Sequence, residues 1–115
     1  MGEFVREVFY YKRYYLDFFE SPDYRVQKKF NWNLELIASV RYIPDRYFKY
    51  IAGTKGIYEI RVEVDNNIFR VFAFFDEGNL IIPTNGFTKK SQKTPRNEID
   101  KARAIKKEYF DEKGH

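Results

Sequence analysis

The chain has 115 residues, of which 43% are hydrophobic and 20% aromatic, so residues 1–115 are expected to form a single domain. It has no cysteine and one histidine, His115, which excludes a disulfide framework, a thiolate zinc site and an internal Ser-His or Cys-His pair. The net charge of +4 favours a polyanionic partner, although a basic run is often only a solvated surface.

The first half of the sequence predicts one strand and two helices. Residues 4–11 are rich in aromatic and β-branched side chains with charges between them, which is typical of a strand at or near a sheet edge. Residues 13–20 favour a short helix. Ser21 as N-cap and Pro22 as the first helical residue then predict a longer helix that runs to about residue 41, before Pro44. The N-terminal segment has no apolar run of signal or membrane-span length, so a cytoplasmic protein is expected.

The clearest pattern is a β-hairpin over residues 57–75, where two alternating segments flank the polar residues 65–67. A two-residue turn at Asn66-Asn67 would place Glu63 opposite Arg70 and Arg61 opposite Phe72. One face of this hairpin is then apolar. The other face carries two arginines and two carboxylates within an apolar surface, which indicates a functional site, although Arg61 and Glu63 could also be ordinary cross-strand partners. The charged side chains of this face are Glu59, Arg61, Glu63 and Arg70.

The last third predicts a turn at residues 76–79, a strand and a terminal helix. Pro83 lacks the donor that a strand interior needs, so it implies an edge position or a bulge. Thr94 and Pro95 start the helix, whose apolar stripe is Ile99, Ala102, Ile105 and Tyr109. The order of elements predicts an α+β fold: a small antiparallel sheet with the N-terminal helices packed on one face, a C-terminal helix, and all helices on the same side.

Three segments of the chain resemble the phage-derived, HigB-like branch of the RelE/ParE toxin superfamily. They are residues 53–61, 69–72 and 85–95, followed by Glu98, Ile99 and Ala102. The resemblance implies a microbial-ribonuclease-like fold and a type II toxin that cleaves messenger RNA on the ribosome without a metal or other cofactor. It also implies a cognate helix-turn-helix antitoxin as partner, with DNA contacted only through the antitoxin complex, and no membrane.

In that family the active surface is formed by arginines and lysines of the central strands and of the segment before the terminal helix. Guanidinium groups suit cleavage by a 2′-hydroxyl because they stabilise the extra negative charge on the phosphorus. The candidate catalytic residues are Arg70, Arg61, Lys89 and Lys90, with Glu59 or a lysine as base and a lysine or a tyrosine as acid. The candidate RNA-binding residues are Lys93, Arg96 and Lys55. Relatives often carry histidine at the position of Asn85 and an aliphatic residue at that of Pro83.

Two other functions remain open on the same scaffold. One is a ParE-like inhibitor of DNA gyrase, which the basic residues do not exclude. The other is a catalytically decayed toxin that acts only as a partner-binding or DNA-binding module, which the departures at Asn85 and Pro83 motivate.

Overall fold

The computed structural model describes residues 5–89 and 95–114, without the side chain of Lys89. Five strands form one sheet in the order β1-β5-β4-β3-β2, in which only the β1–β5 pair is parallel. This arrangement confirms the predicted α+β fold class. The elements in chain order are β1 (Glu7–Val8), α1 (Tyr14–Phe19), α2 (Tyr24–Ser39), β2 (Phe48–Tyr50), β3 (Tyr58–Val64), β4 (Asn67–Asp76), β5 (Leu80–Lys89) and α3 (Arg96–Glu112).

The two N-terminal helices cover the apolar face of the sheet. Phe30 and Ile37 of α2 are fully buried against side chains of β3 and β4, as the hairpin pattern predicted. Asp23, rather than Ser21, is the N-cap of α2, because its carboxylate accepts hydrogen bonds from the backbone N–H groups of Arg25 and Val26. The predicted helix start was therefore two residues too early.

The terminal helix α3 packs on the opposite face, so the expectation that all helices share one side was wrong. Its predicted stripe is correct: Ala102, Ile105 and Tyr109 are buried in a second core. The reason is that half of the second sheet face is also apolar and must be removed from water. The sheet residues of this second core are Ile57, Phe72, Phe74 and Ile82.

The hairpin is confirmed, but its register differs by two residues from the prediction. The turn residues are Asp65 and Asn66, both with positive φ (50° and 69°), and Val64 pairs with Asn67. Arg61 therefore lies opposite Arg70, not Phe72. A shift of two residues leaves every side chain on its predicted face, because side-chain direction alternates along a strand with a period of two.

The strand β5 accommodates Pro83 through an irregularity in its pairing with β4. Pro83 lies opposite Ala73 and Gly86 opposite Val71, so β5 carries one extra residue between these pairs. The Thr84 hydroxyl donates a hydrogen bond to the carbonyl of Phe72 within this bulge. Beyond the bulge the pairing resumes, and residues 86–89 lie beside the charged part of β4.

Candidate functional site

Arg61 and Arg70 are direct cross-strand neighbours at the centre of the second sheet face. The backbone N–H of Arg61 donates to the Tyr47 carbonyl (3.1 Å), and its carbonyl accepts from the Asn33 side-chain amide (2.7 Å). Both bonds point away from β4, so Arg61 and Arg70 form a non-hydrogen-bonded pair, the type that brings side chains closest together. Two like charges in this position destabilise a sheet unless anions compensate them.

Two carboxylates on the same face compensate the arginines unequally. Arg70 forms an ion pair with Glu59, and each of these residues is only 6% exposed. Arg61 lies nearer to solvent, and its Nη2 is 3.0 Å from Oε1 of the exposed Glu63. The pairing of Glu63 with Arg70 that the predicted register implied is thus replaced by pairing of Glu59 with Arg70. Arg70 has a fixed position, whereas Glu63 can leave Arg61 at little cost.

Three buried polar atoms of this site lack a hydrogen-bond partner within the described part of the chain. They are Oε2 of Glu59 and Nε of both Arg61 and Arg70. Buried polar atoms nearly always have a partner, so unpaired ones require an explanation. The three atoms lie on the second sheet face but have almost no exposed surface, so a ligand can reach them only if their side chains move.

Lys49 is a candidate site residue that the sequence analysis did not identify. It is the central residue of β2, is exposed, and pairs directly with Glu59 across the strands, which places both side chains on the same face. No strand was predicted at residues 48–50. Three residues are too few for a periodic signal, so the sequence pattern alone could not have found this strand.

The other border of the site is β5. Phe87 lies opposite Arg70, and its ring is 5.4 Å from that of Phe72. Asn85 donates two hydrogen bonds of 3.1 Å from its side-chain amide to Glu98, one to the backbone carbonyl and one to the carboxylate. These hydrogen bonds hold the first turn of α3 against β5.

The predicted basic residues separate into three groups. Lys89 is the last residue of β5 and pairs with Ile68, two residues before Arg70 on β4. Arg96 is exposed and is the first residue of α3. Lys90, Lys93 and the predicted helix-start residue Thr94 lie outside the described residues. Lys55 does not join Arg61 and Arg70: it lies in the loop before β3, where its carbonyl accepts a hydrogen bond from Lys106 of α3.

The end of α3 is anchored to the sheet away from the arginines. The buried carboxylate of Asp76 accepts hydrogen bonds from the Tyr109 hydroxyl (2.7 Å) and the Lys113 ammonium (2.6 Å). Burial, and then the bond to Asp76, raise the pKa of Tyr109 to about 12. The Asp76 carboxylate also raises the pKa of Lys113 above its ordinary value. These contacts fix the C-terminal half of α3 to the end of β4.

Residues 17–107 match the family model described as phage-derived protein Gp49-like (DUF891). The chain belongs to this family. The Gp49-like family is part of the RelE/HigB-like toxin group, so membership is consistent with a toxin of a toxin–antitoxin system and implies an antitoxin as partner. A search of curated proteins found no match.

The described residues of this Gp49-like protein were also examined for metal-binding groups and for membrane-spanning helices. Residues 5–89 and 95–114 contain no group of three or more histidine, aspartate or glutamate side chains that could hold a metal ion. In the same ranges, no helix has the length and apolarity that crossing a membrane requires.

Proposed function

We propose that this Gp49-like protein is the toxin of a type II toxin–antitoxin system and acts in the cytoplasm, as a single domain, by cleaving messenger RNA on the ribosome. The observation that supports this most directly is the opposed pair Arg61 and Arg70, whose Nε groups lack hydrogen-bond partners in the described structure. Glu59 already pairs with Arg70, whereas the exposed Glu63 can be replaced at Arg61 by a phosphate of the RNA.

The reaction is an internal transfer that needs no external oxidant or nucleophile. The 2′-oxygen attacks the neighbouring phosphorus as it loses its proton, a 2′-O–P bond forms, and the P–O5′ bond breaks as the leaving oxygen gains a proton. Arg61 and Arg70 stabilise the additional negative charge on the phosphorane oxygens. The products are a 2′,3′-cyclic phosphate and a free 5′-hydroxyl.

The proton transfers are assigned by position on the same face. Glu59 accepts the 2′-hydroxyl proton through Oε2, which is buried in the free protein, so RNA binding has to expose it; its other oxygen is held by Arg70. Lys49, exposed and directly across from Glu59, donates the proton to the 5′-oxygen. Lys89 and Lys90 bind the flanking phosphates in this proposal. Asn85 takes no part in proton transfer, since its amide is already bound to Glu98.

The test is to induce the protein in growing cells and to map the 5′ ends of a translated message and of the same message without its start codon. The proposal predicts growth arrest and new 5′-hydroxyl ends in the translated message alone. Growth arrest with intact messages and with DNA breaks formed by gyrase would instead assign the protein as a ParE-like gyrase inhibitor.

Two features favour a second candidate, a decayed toxin that only binds a partner. Arg70 is buried in an ion pair, and Asn85, where relatives often have histidine, is tied to α3. In this case the wild-type protein would be as harmless in cells as the Arg70→Ala variant, and purified protein would still form a complex with its antitoxin.

A further inference from the structure

A second cationic surface lies away from the two arginines, between α3 and the loop that precedes β3. We call it the loop–α3 patch and define it as Lys55, Arg103, Lys106 and Lys107. These side chains surround an open cleft of about 560 Å³, which Gly53, Thr54 and Phe110 also line.

The patch is built by contacts that leave the charges of Arg103 and Lys106 unpaired. Nη2 of Arg103 donates to the Gly53 carbonyl and Nζ of Lys106 to the Lys55 carbonyl, both at 3.0 Å. These acceptors are neutral, so the bonds position the cations without cancelling their charge. Gly56 has φ +112°, a conformation that L side chains rarely adopt, and a Cβ there would lie 2.8 Å from Nζ of Lys106.

The two sides of α3 differ in their electrostatics. On the side that contacts Lys12, the acids Glu108 and Glu112 are neutralised by that lysine at 2.7 and 2.9 Å. On the patch side, Lys55, Arg103 and Lys106 have no ion pair among the described residues, and only Lys107 has an acidic partner, Asp111 at 2.7 Å. A local excess of positive charge therefore remains on one side of the helix.

We propose that the loop–α3 patch binds consecutive backbone phosphates of RNA away from the cleaved bond. This inference rests on the proposed ribonuclease activity and gives the protein a second RNA-binding surface. Arg103 and Lys106 are one helical turn apart, a separation of about 5–6 Å between Cβ atoms that suits neighbouring phosphates.

The test is equilibrium binding by fluorescence anisotropy over a range of salt concentrations, with RNA that carries 2′-O-methyl groups and so cannot be cleaved. One probe is a single strand and the other is a hairpin duplex. The variant is Lys55→Gln with Arg103→Gln, which removes two exposed, unpaired charges. Its matched control is Lys28→Gln with Arg41→Gln, which removes two exposed charges on α2 and in the segment that follows it.

The Lys55→Gln/Arg103→Gln variant should bind severalfold more weakly, and its slope of log affinity against log salt should be less steep by about 0.7 to 0.9 for each phosphate that is no longer neutralised. The control should keep the wild-type slope, and the charge-retaining variant Lys55→Arg/Arg103→Lys should regain it. The probe whose affinity falls further identifies single-stranded or duplex RNA as the ligand.

Equal affinity and slope for the Lys55→Gln/Arg103→Gln variant and its control, or no binding to either probe, would overturn the inference. The binding assay does not depend on cleavage. Intact messages in cells, together with patch-dependent RNA binding, would therefore refute the proposed nuclease alone.

Discussion

At the level of single side chains, the buried pair Glu59 and Arg70 links the stability of the protein to its proposed chemistry. Arg70→Ala removes the only charge that the described structure pairs with the Glu59 carboxylate. We expect the free energy of unfolding to fall by about 3–5 kcal/mol, because a buried carboxylate is left without its partner. RNA cleavage should fall at least about a hundredfold. Urea denaturation and a cleavage assay measure the two effects.

The double variant Glu59→Leu/Arg70→Met separates these effects. It replaces the ion pair with apolar side chains of similar size, so its unfolding free energy should return to within roughly 1–2 kcal/mol of the wild-type value. Cleavage should remain absent. A stable double variant that cleaves RNA at the wild-type rate would show that neither residue takes part in the reaction.

Lys49 provides a test in which stability is not at risk. Its side chain is exposed, so Lys49→Gln should leave the melting temperature unchanged. The cleavage rate should fall by about a hundredfold or more, since a positioned proton donor contributes at least that factor. Lys28→Gln, which removes an exposed lysine from α2, is the matched control and should cleave normally. Equal rates for the two variants would remove Lys49 from the mechanism.

At the level of secondary-structure elements, the junction of α1 with β5 positions the strand that borders the arginines. A Cβ at Gly86 would lie 2.4 Å from Cδ2 of Phe18, so the two elements touch where β5 has no side chain. Gly86→Ala should lower the unfolding free energy by about 1–3 kcal/mol because helix or strand must shift.

The double variant Gly86→Ala/Phe18→Leu should recover part of this stability, because leucine in place of Phe18 leaves room for the added methyl group. Thermal unfolding of both variants gives the comparison. A Gly86→Ala protein as stable as the wild type would show that the packing of Phe18 on Gly86 does not constrain β5.

The hairpin shows which parts of the elements could be predicted from sequence. Alternation with a period of two assigned Glu59, Arg61 and Arg70 to one face, and the structure confirms that assignment. The register could not be read in the same way, because Asp65, Asn66 and Asn67 all have turn chemistry and allow more than one two-residue turn. The ion pair of Arg70 with Glu59 depends on that choice, so it was not predicted.

The other differences arise from tertiary packing. The strand β2 has three residues, too few for a periodic signal, and it exists because it pairs with β3; its absence from the prediction is why Lys49 was missed. The helix α3 packs on the second face because Ile57, Phe72 and Phe74 make half of that face apolar. The charged residues of its other half led to the expectation that the whole face is exposed. The sheet face on which a side chain lies was thus easier to predict than the residues that it contacts.

At the level of the whole molecule, alkaline pH should destabilise the fold. Burial raises the pKa of Tyr109 to about 12, against about 10 in the unfolded chain, and burial also raises the pKa of Tyr10 and Tyr15. The folded state therefore holds these protons more tightly. The resulting stabilisation is complete below pH 10 and is lost as the pH rises from 10 towards 12.

Urea midpoints measured between pH 9 and pH 11 test this expectation. The wild-type midpoint should fall with pH, and Tyr109→Phe should show a shallower fall because one of the titrating groups is gone. The same slope in both proteins would mean that Tyr109 does not contribute.

The most direct test of the proposed ribonuclease site is cleavage of a translated message by purified protein on programmed ribosomes, with the stable Glu59→Leu/Arg70→Met variant in parallel. We predict that the wild-type protein leaves 2′,3′-cyclic phosphate and 5′-hydroxyl ends, and that the folded double variant leaves the message intact. An intact message with the wild-type protein, or equal cleavage by both proteins, would contradict the assignment of the arginine face as a ribonuclease site.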